Sequence, residues 1–103
     1  MSGARCDMTR PDFELLVVDG KPTVRGDCDL ANADRIETWL LSFDGQLLDA
    51  DLSGVTFFDS SALRAFMNVR RRNPKFRIAD ASPAVVRVLE MTGTRDYLRR
   101  ARA

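Results

Sequence analysis

Apolar and polar positions near the start of the chain follow the short runs that are typical of β-strands. Residues 13–20 (FELLVVDG) form an apolar run that closes on Asp19-Gly20, and residues 21–26 (KPTVRG) follow directly. Two β-rich runs around an Asp-Gly pair predict a β-hairpin. Residues 1–11 show no such pattern, and we expect a flexible N-terminal tail there, ahead of a single domain over residues 12–103.

The spacing becomes helical after Cys28. One helix face would carry Leu30, Ala33, Ile36, Leu40 and Phe43, and Asp44-Gly45 would end that helix. Residues 46–52 then alternate between apolar and polar positions, which predicts a strand with one buried face. We expect Ser53-Gly54 to turn the chain before a further apolar segment over residues 55–58.

A second helical spacing starts at Ser60, with Leu63, Phe66 and Met67 on one face. Three arginines and Pro74 would end it, and residues 75–80 would form another strand. Ser82-Pro83 supplies an N-cap and a first-turn proline for a third helix that ends at Gly93, and residues 95–101 are expected to form a short last helix. Strands that alternate with helices in this way predict a single α/β domain, with three to four helices packed on a mostly parallel sheet of about four strands.

Composition excludes several kinds of chemistry. The 103 residues contain no histidine and only two cysteines, which removes Ser-His-Asp and Cys-His catalysis and any ordinary zinc site. We therefore expect no enzymatic activity, no metal and no cofactor. Cys6 and Cys28 are interpreted as free thiols, although a disulfide between them stays open. With no apolar run long enough for a membrane span and no secretory signal, we expect a cytoplasmic protein without membrane insertion.

Charge is distributed unevenly although the net charge is only +1. Residues 1–59 hold 12 acidic and 5 basic residues, whereas residues 60–103 hold 3 acidic and 11 basic ones. A basic second half is compatible with binding of nucleic acid, but it equally describes solvated helix and turn surfaces. Since no aromatic residues alternate with the arginines, we expect no direct contact with nucleic acid.

The junction of residues 54–63 (GVTFFDSSAL) places Asp59, Ser60 and Ser61 where a helix should follow a strand. Asp and Ser are preferred helix N-caps, so capping alone explains part of the pattern. One cap is enough, however, and a first-turn serine is exposed beside the positive end of the helix dipole, which tolerates a phosphate. The chain offers no histidine to activate a nucleophile, so phosphorylation is the favoured interpretation of Ser60. Arg64, four residues further on, is a candidate partner for such a phosphate, or simply a solubilising side chain.

Three segments resemble the STAS domain, specifically the bacterial anti-sigma factor antagonist group. They are residues 26–29 (GDCD), 51–63 (DLSGVTFFDSSAL) and 82–93 (SPAVVRVLEMTG), and the resemblance covers roughly residues 12–98. It implies an antagonist that binds an anti-sigma factor serine kinase while unphosphorylated and thereby frees a sigma factor. The kinase then phosphorylates the serine after the aspartate, here Ser60, which ends the complex. A PP2C-type phosphatase restores the free form.

The same resemblance assigns roles to neighbouring residues. Ser61 matches the neighbouring Ser/Thr position, and Ala62 replaces the usual glycine, so its methyl group is expected to stand where a partner comes close. Asp27 and Asp29 match acidic positions that contact the kinase, although loop solvation or helix capping explains them equally well. We assign the partner-binding surface to Asp27, Asp29, Asp59, Ser60, Ser61, Ala62 and Arg64. The alternative function is an accessory STAS subunit of a membrane transporter that docks on its ATPase.

Overall fold

The computed structural model describes residues 5–10, 12–43 and 45–99 of the chain, and the five strands and four helices found there follow one another with short connections. The strands and helices in chain order are β1 (Arg5–Thr9), β2 (Phe13–Val18), β3 (Lys21–Cys28), α1 (Leu30–Leu41), β4 (Leu48–Phe58), α2 (Ser60–Arg72), β5 (Phe76–Ala81), α3 (Pro83–Thr92) and α4 (Arg95–Arg99). The predicted α/β fold is confirmed.

The sheet is mixed rather than mostly parallel, and it has five strands rather than about four. Its spatial order is β1-β2-β3-β4-β5. The β1–β2 and β2–β3 pairs are antiparallel, whereas the β3–β4 and β4–β5 pairs are parallel. The predicted hairpin between β2 and β3 is present, and both of its turn residues have positive φ angles, 51° at Asp19 and 80° at Gly20. Positive φ at both positions matches the twist of a two-residue hairpin.

The additional strand lies in the segment for which we expected a flexible tail. β1 pairs antiparallel with β2 along the edge that β3 leaves free, and Met8 packs against the core. Its residues are mostly exposed, because backbone pairing rather than side-chain burial holds an edge strand in place. Residues 1–4 and 11 of the expected tail lie outside the described residues.

The predicted turn at Ser53-Gly54 is wrong, since β4 continues through both residues. Gly54 pairs with Arg25 of β3, and a Cβ atom at Gly54 would lie 2.8 Å from Arg25 Cγ. The glycine therefore leaves room for the Arg25 side chain to lie against β4. Close approach of a neighbouring group is a common reason for a glycine in the middle of a strand.

Local capping chemistry sets the helix ends. Asp29 and Asp59 cap α1 and α2, and Ser82 caps α3 directly before Pro83. α3 ends at Gly93, whose φ of 71° is the left-handed conformation that commonly closes a helix. α1 ends at Leu41, two residues before the expected Phe43, and α4 runs to Arg99, while residues 100 and 101 of its expected range lie outside the described residues.

All four helices contribute to one hydrophobic core. Buried side chains of β4 (Leu48, Ala50, Leu52, Val55 and Phe58) meet helix residues such as Ile36, Phe66, Leu89 and Leu98 in a single cluster. Phe66 lies between Phe58 and Phe76, with ring centroids 5.6 Å and 6.2 Å away. This packing of α2 against β4 and β5 fixes where the N-terminus of α2 emerges.

Candidate functional site

The predicted site residues gather where the parallel strands β3 and β4 end. In register, Asp27 lies beside Phe57 and Cys28 beside Phe58, so the helices that follow begin next to each other. We call residues 27–30 and 56–61 the β3–β4 edge. The carboxyl ends of neighbouring parallel strands are a common place for binding sites in open α/β sheets.

Asp59 shapes the start of α2. Its Oδ1 accepts a hydrogen bond from the Ala62 backbone N–H at 3.0 Å, and its own N–H donates to the Cys28 carbonyl oxygen at 3.2 Å. The capping function is therefore performed by Asp59 alone, as the extended backbone of this residue also indicates. Ser60, the first helical residue, is exposed and Ser61 is half-buried.

Asp27, near the end of β3, and Asp29, directly after it, have separate environments. Asp29 caps α1 by accepting from the Asn32 N–H at 3.2 Å. Asp27 accepts a hydrogen bond at Oδ1 from the Thr56 hydroxyl at 2.9 Å. Asn32 is almost fully buried, and its Nδ2 donates to the Asp27 carbonyl oxygen at 2.8 Å and to Asp12 Oδ2 at 3.2 Å. These hydrogen bonds fix the backbone from the end of β3 to the start of α1.

Gly26 allows the start of β2 to come close to that loop. The Asp27 N–H donates to the Asp12 carbonyl oxygen at 2.7 Å. Gly26 has a φ of 94°, and a Cβ atom there would lie 2.3 Å from the Asp12 carbonyl oxygen. Only glycine meets both conditions, because the left-handed region is unfavourable for other residues and no space exists for a methyl group.

The carboxylates of Asp27, Asp29 and Asp59 act on one buried group. Burial and, after it, the negative charges of Asp29, Asp27 and Asp59 in that order together raise the pKa of the Cys28 thiol to about 12. The thiol is therefore protonated at neutral pH and is not a nucleophile. Cys6 is exposed whereas Cys28 is buried, and both are free thiols. The β3–β4 edge thus presents three carboxylates together with the exposed hydroxyls of Thr56 and Ser60.

Ala62 and Arg64, the remaining predicted site residues, differ in their exposure to solvent. Ala62 is fully buried and belongs to the core cluster, so its methyl group does not face an approaching partner as we expected. It occupies the third helical position, where the side chain points towards the sheet. Arg64 is exposed one turn after Ser60 and stays available to the solvent side of α2.

Several charged residues outside this edge form contacts within the fold. Arg77 forms a bidentate contact with Asp49, at 2.7 Å and 3.2 Å, which lowers the pKa of Asp49 mainly through the side-chain hydrogen bond. Arg70 is buried and donates to the carbonyl oxygens of Tyr97 and Phe76. Arg70 is therefore not part of the solvated basic surface that residues 60–103 could otherwise present.

Within the described ranges, no cluster of three or more acidic or cysteine side chains is arranged to hold a metal ion. None of the helices there combines the length and the apolar character that crossing a bilayer requires.

Thr56 and Asn32 are site residues that the sequence analysis missed. Thr56 lies 29 positions from Asp27 in the chain, and only the register of β3 against β4 brings them together. Asn32 is the third residue of α1, and its buried side chain joins Asp12, before β2, to the Asp27 carbonyl oxygen near the end of β3. Since the burial of a polar side chain is not visible in the sequence, the position of Asn32 near a helix start was the only signal for it.

Comparison with known proteins identifies a family and a similar fold. The STAS domain family matches residues 23–102. Among solved structures, an anti-sigma factor antagonist from Mycobacterium paratuberculosis has a similar fold, with a TM-score of 0.66 and 23% sequence identity over 89% of this chain and 87% of that chain. No significant match was found among curated proteins. The family match includes β3, α1, β4 and α2, which together build the β3–β4 edge, and the chain belongs to the STAS domain family.

Proposed function

We propose that the protein is an anti-sigma factor antagonist whose binding is switched off by phosphorylation of Ser60. The unphosphorylated form binds an anti-sigma factor serine kinase through the β3–β4 edge and so frees a sigma factor. The protein itself is not an enzyme in this scheme. The solved relative of similar fold bears the name of such an antagonist, and the chain shares its STAS architecture.

The observation that carries the proposal is the position of Ser60. Its side chain is exposed at the first position of α2, while the neighbouring Asp59 already performs the capping. The hydroxyl is thus accessible to a kinase without loss of a structural contact of the cap. A phosphate there meets the positive end of the helix dipole, which stabilises negative charge.

Modification of Ser60 is an ordinary phosphoryl transfer. The Ser60 Oγ forms a bond to the γ-phosphorus of ATP, ADP leaves, and the hydroxyl proton passes to the kinase. Phosphoserine adds nearly two negative charges at neutral pH beside Asp59. A PP2C-type phosphatase then hydrolyses the ester and returns the hydroxyl form.

The test uses a purified anti-sigma serine kinase of the source organism with Mg-ATP. We expect one phosphate per chain on Ser60 by mass spectrometry, none on the S60A variant, and unchanged modification of an S53A control, because Ser53 is exposed in the middle of β4. Equal phosphorylation of S60A would show that the acceptor assignment is wrong. Failure of the kinase to bind, together with binding to a transporter ATPase, would support the alternative function.

A further inference from the structure

Two large apolar side chains are exposed at the β3–β4 edge. Leu30, the first residue of α1, is 77% exposed, and Phe57, the penultimate residue of β4, is 49% exposed. Of the exposed large hydrophobic residues in the described part of the chain, the others (Leu47, Met91 and Tyr97) lie outside this edge.

The core does not require either residue to be apolar. In β4 the inward positions are taken by Val55 and Phe58. The face of α1 that carries Ile36 and Leu40 is buried, but Leu30, which we expected on that face, is exposed at the first turn. Both residues belong to the β3–β4 edge. Exposed aromatic residues are enriched in protein interfaces, and an exposed leucine on the same edge adds apolar area that a partner can cover.

The charged residues of the β3–β4 edge itself are all acidic. They are Asp27, Asp29 and Asp59, which lie close enough to raise the pKa of the same Cys28 thiol, and the exposed Arg64 lies one turn beyond the edge on α2. A partner that covers Leu30 and Phe57 must therefore place its own charged groups beside carboxylates. Electrostatic complementarity favours lysine and arginine around an apolar pocket.

The negative charge of the edge determines how phosphorylation can release the partner. Phosphorylation adds negative charge to an edge that is already negative, and additional negative charge attracts a basic rim more strongly. Coulomb repulsion between the phosphate and a partner with a basic rim therefore does not explain release of that partner. A phosphate dianion at the interface must instead be desolvated when the apolar contact closes, and desolvation of an incompletely paired charge is costly.

We propose that Leu30 and Phe57 anchor a partner surface that consists of an apolar pocket rimmed by lysine and arginine, and that phosphate on Ser60 releases this partner by preventing closure of the apolar contact. The inference rests on the proposed function and adds the residues and the physical mode of release. The acidic residues then govern the association rate, and the apolar pair governs the dissociation rate.

The experiment measures association and dissociation rates with an immobilised anti-sigma serine kinase over a range of salt concentrations. We expect L30A and F57A each to weaken binding at least tenfold, mainly through faster dissociation. L47A and M91A are matched controls, because both residues are exposed elsewhere, and they should stay within twofold of the wild type. Chain phosphorylated on Ser60 should associate at low salt at least as fast as the wild type and dissociate much faster.

Two outcomes would overturn the inference while the proposed function stands. Binding of L30A and F57A within twofold of the wild type would exclude the apolar anchors. Slower association of the phosphorylated chain with an unchanged dissociation rate would show that release occurs by repulsion. If the kinase neither binds nor modifies the wild type, the proposed function is wrong, and the same variants are measured against a transporter ATPase. A tenfold loss there would support the apolar anchors alone, and lack of binding by both proteins would overturn both proposals.

Discussion

The Thr56 hydroxyl donates a hydrogen bond to the Asp27 carboxylate at 2.9 Å, and this contact joins the ends of two parallel strands. Asp27 is thereby held towards β4, close to Phe57 in the register. An orienting contact of this kind matters more for recognition than for stability, because exposed hydrogen bonds contribute little net free energy to folding.

The first prediction concerns this pair. The T56V variant keeps the shape of the side chain but leaves Asp27 without its donor from β4. We expect the free energy of unfolding to change by no more than about 1 kcal/mol, while affinity for the serine kinase falls several-fold because the carboxylate is no longer fixed. T38V on the exposed side of α1 is the control. Equal kinase affinity of T56V and the wild type would argue against a role of the contact in recognition.

The second prediction concerns Gly26. The G26A variant should lose at least about 3 kcal/mol of unfolding free energy, because it combines a strained φ with a steric clash. At Gly20, which also has a positive φ, a Cβ atom would meet open space. G20A should therefore lose only about 1 kcal/mol. Urea unfolding of both variants tests the difference, and similar losses would show that the close approach of Asp12 is relieved by a small shift.

The third prediction concerns the residue that replaces glycine in the family pattern. Because the Ala62 methyl group is buried, A62G should lower the free energy of unfolding by about 1–2 kcal/mol, from helix propensity and one lost methyl group. Phosphorylation of Ser60 should be unchanged. A31G, at an exposed first-turn position of α1, isolates the propensity effect. A large change in phosphorylation of A62G without loss of stability would contradict the buried position.

The fourth prediction concerns the cysteines. Since burial and the neighbouring carboxylates raise the pKa of Cys28 to about 12, only Cys6 should react quickly with a thiol reagent at pH 8. The second thiol should react only in denaturant, and C6S should show no fast thiol. Because the folded-state pKa is raised from 9.0, this group stabilises the fold below pH 9 and loses that contribution as the pH rises towards 12. Two fast thiols in the native wild type would contradict the burial.

Signals within a few residues of each other were enough to predict most of the helices. Ser82, Pro83 and Gly93 define α3 by their own backbone preferences, and Asp59 defines the start of α2. The same local chemistry made Ser60 a candidate, because a residue beside a helix cap is exposed whatever the rest of the fold does. No distant contact was needed for these conclusions.

Features that depend on distant contacts were not predicted. β1 carries few apolar residues, and its position follows from pairing with the free edge of β2. Gly54 has the local character of a turn residue, but its function depends on the Arg25 side chain that crosses it. The contact of Thr56 with Asp27 likewise depends on the strand register, and the burial of Arg70 depends on the later position of Tyr97.

The spatial order of the strands equals their order in the chain. During synthesis on the ribosome, each new strand can therefore pair with the strand made just before it, and no earlier strand has to be displaced. The β2–β3 hairpin offers the first local pairing, whereas the N-terminus of α2 is fixed only after β5 has been made, because Phe66 packs on Phe76. A nascent chain would thus present the proposed recognition surface only when its central sheet is complete, so binding through this surface would select chains that have already folded.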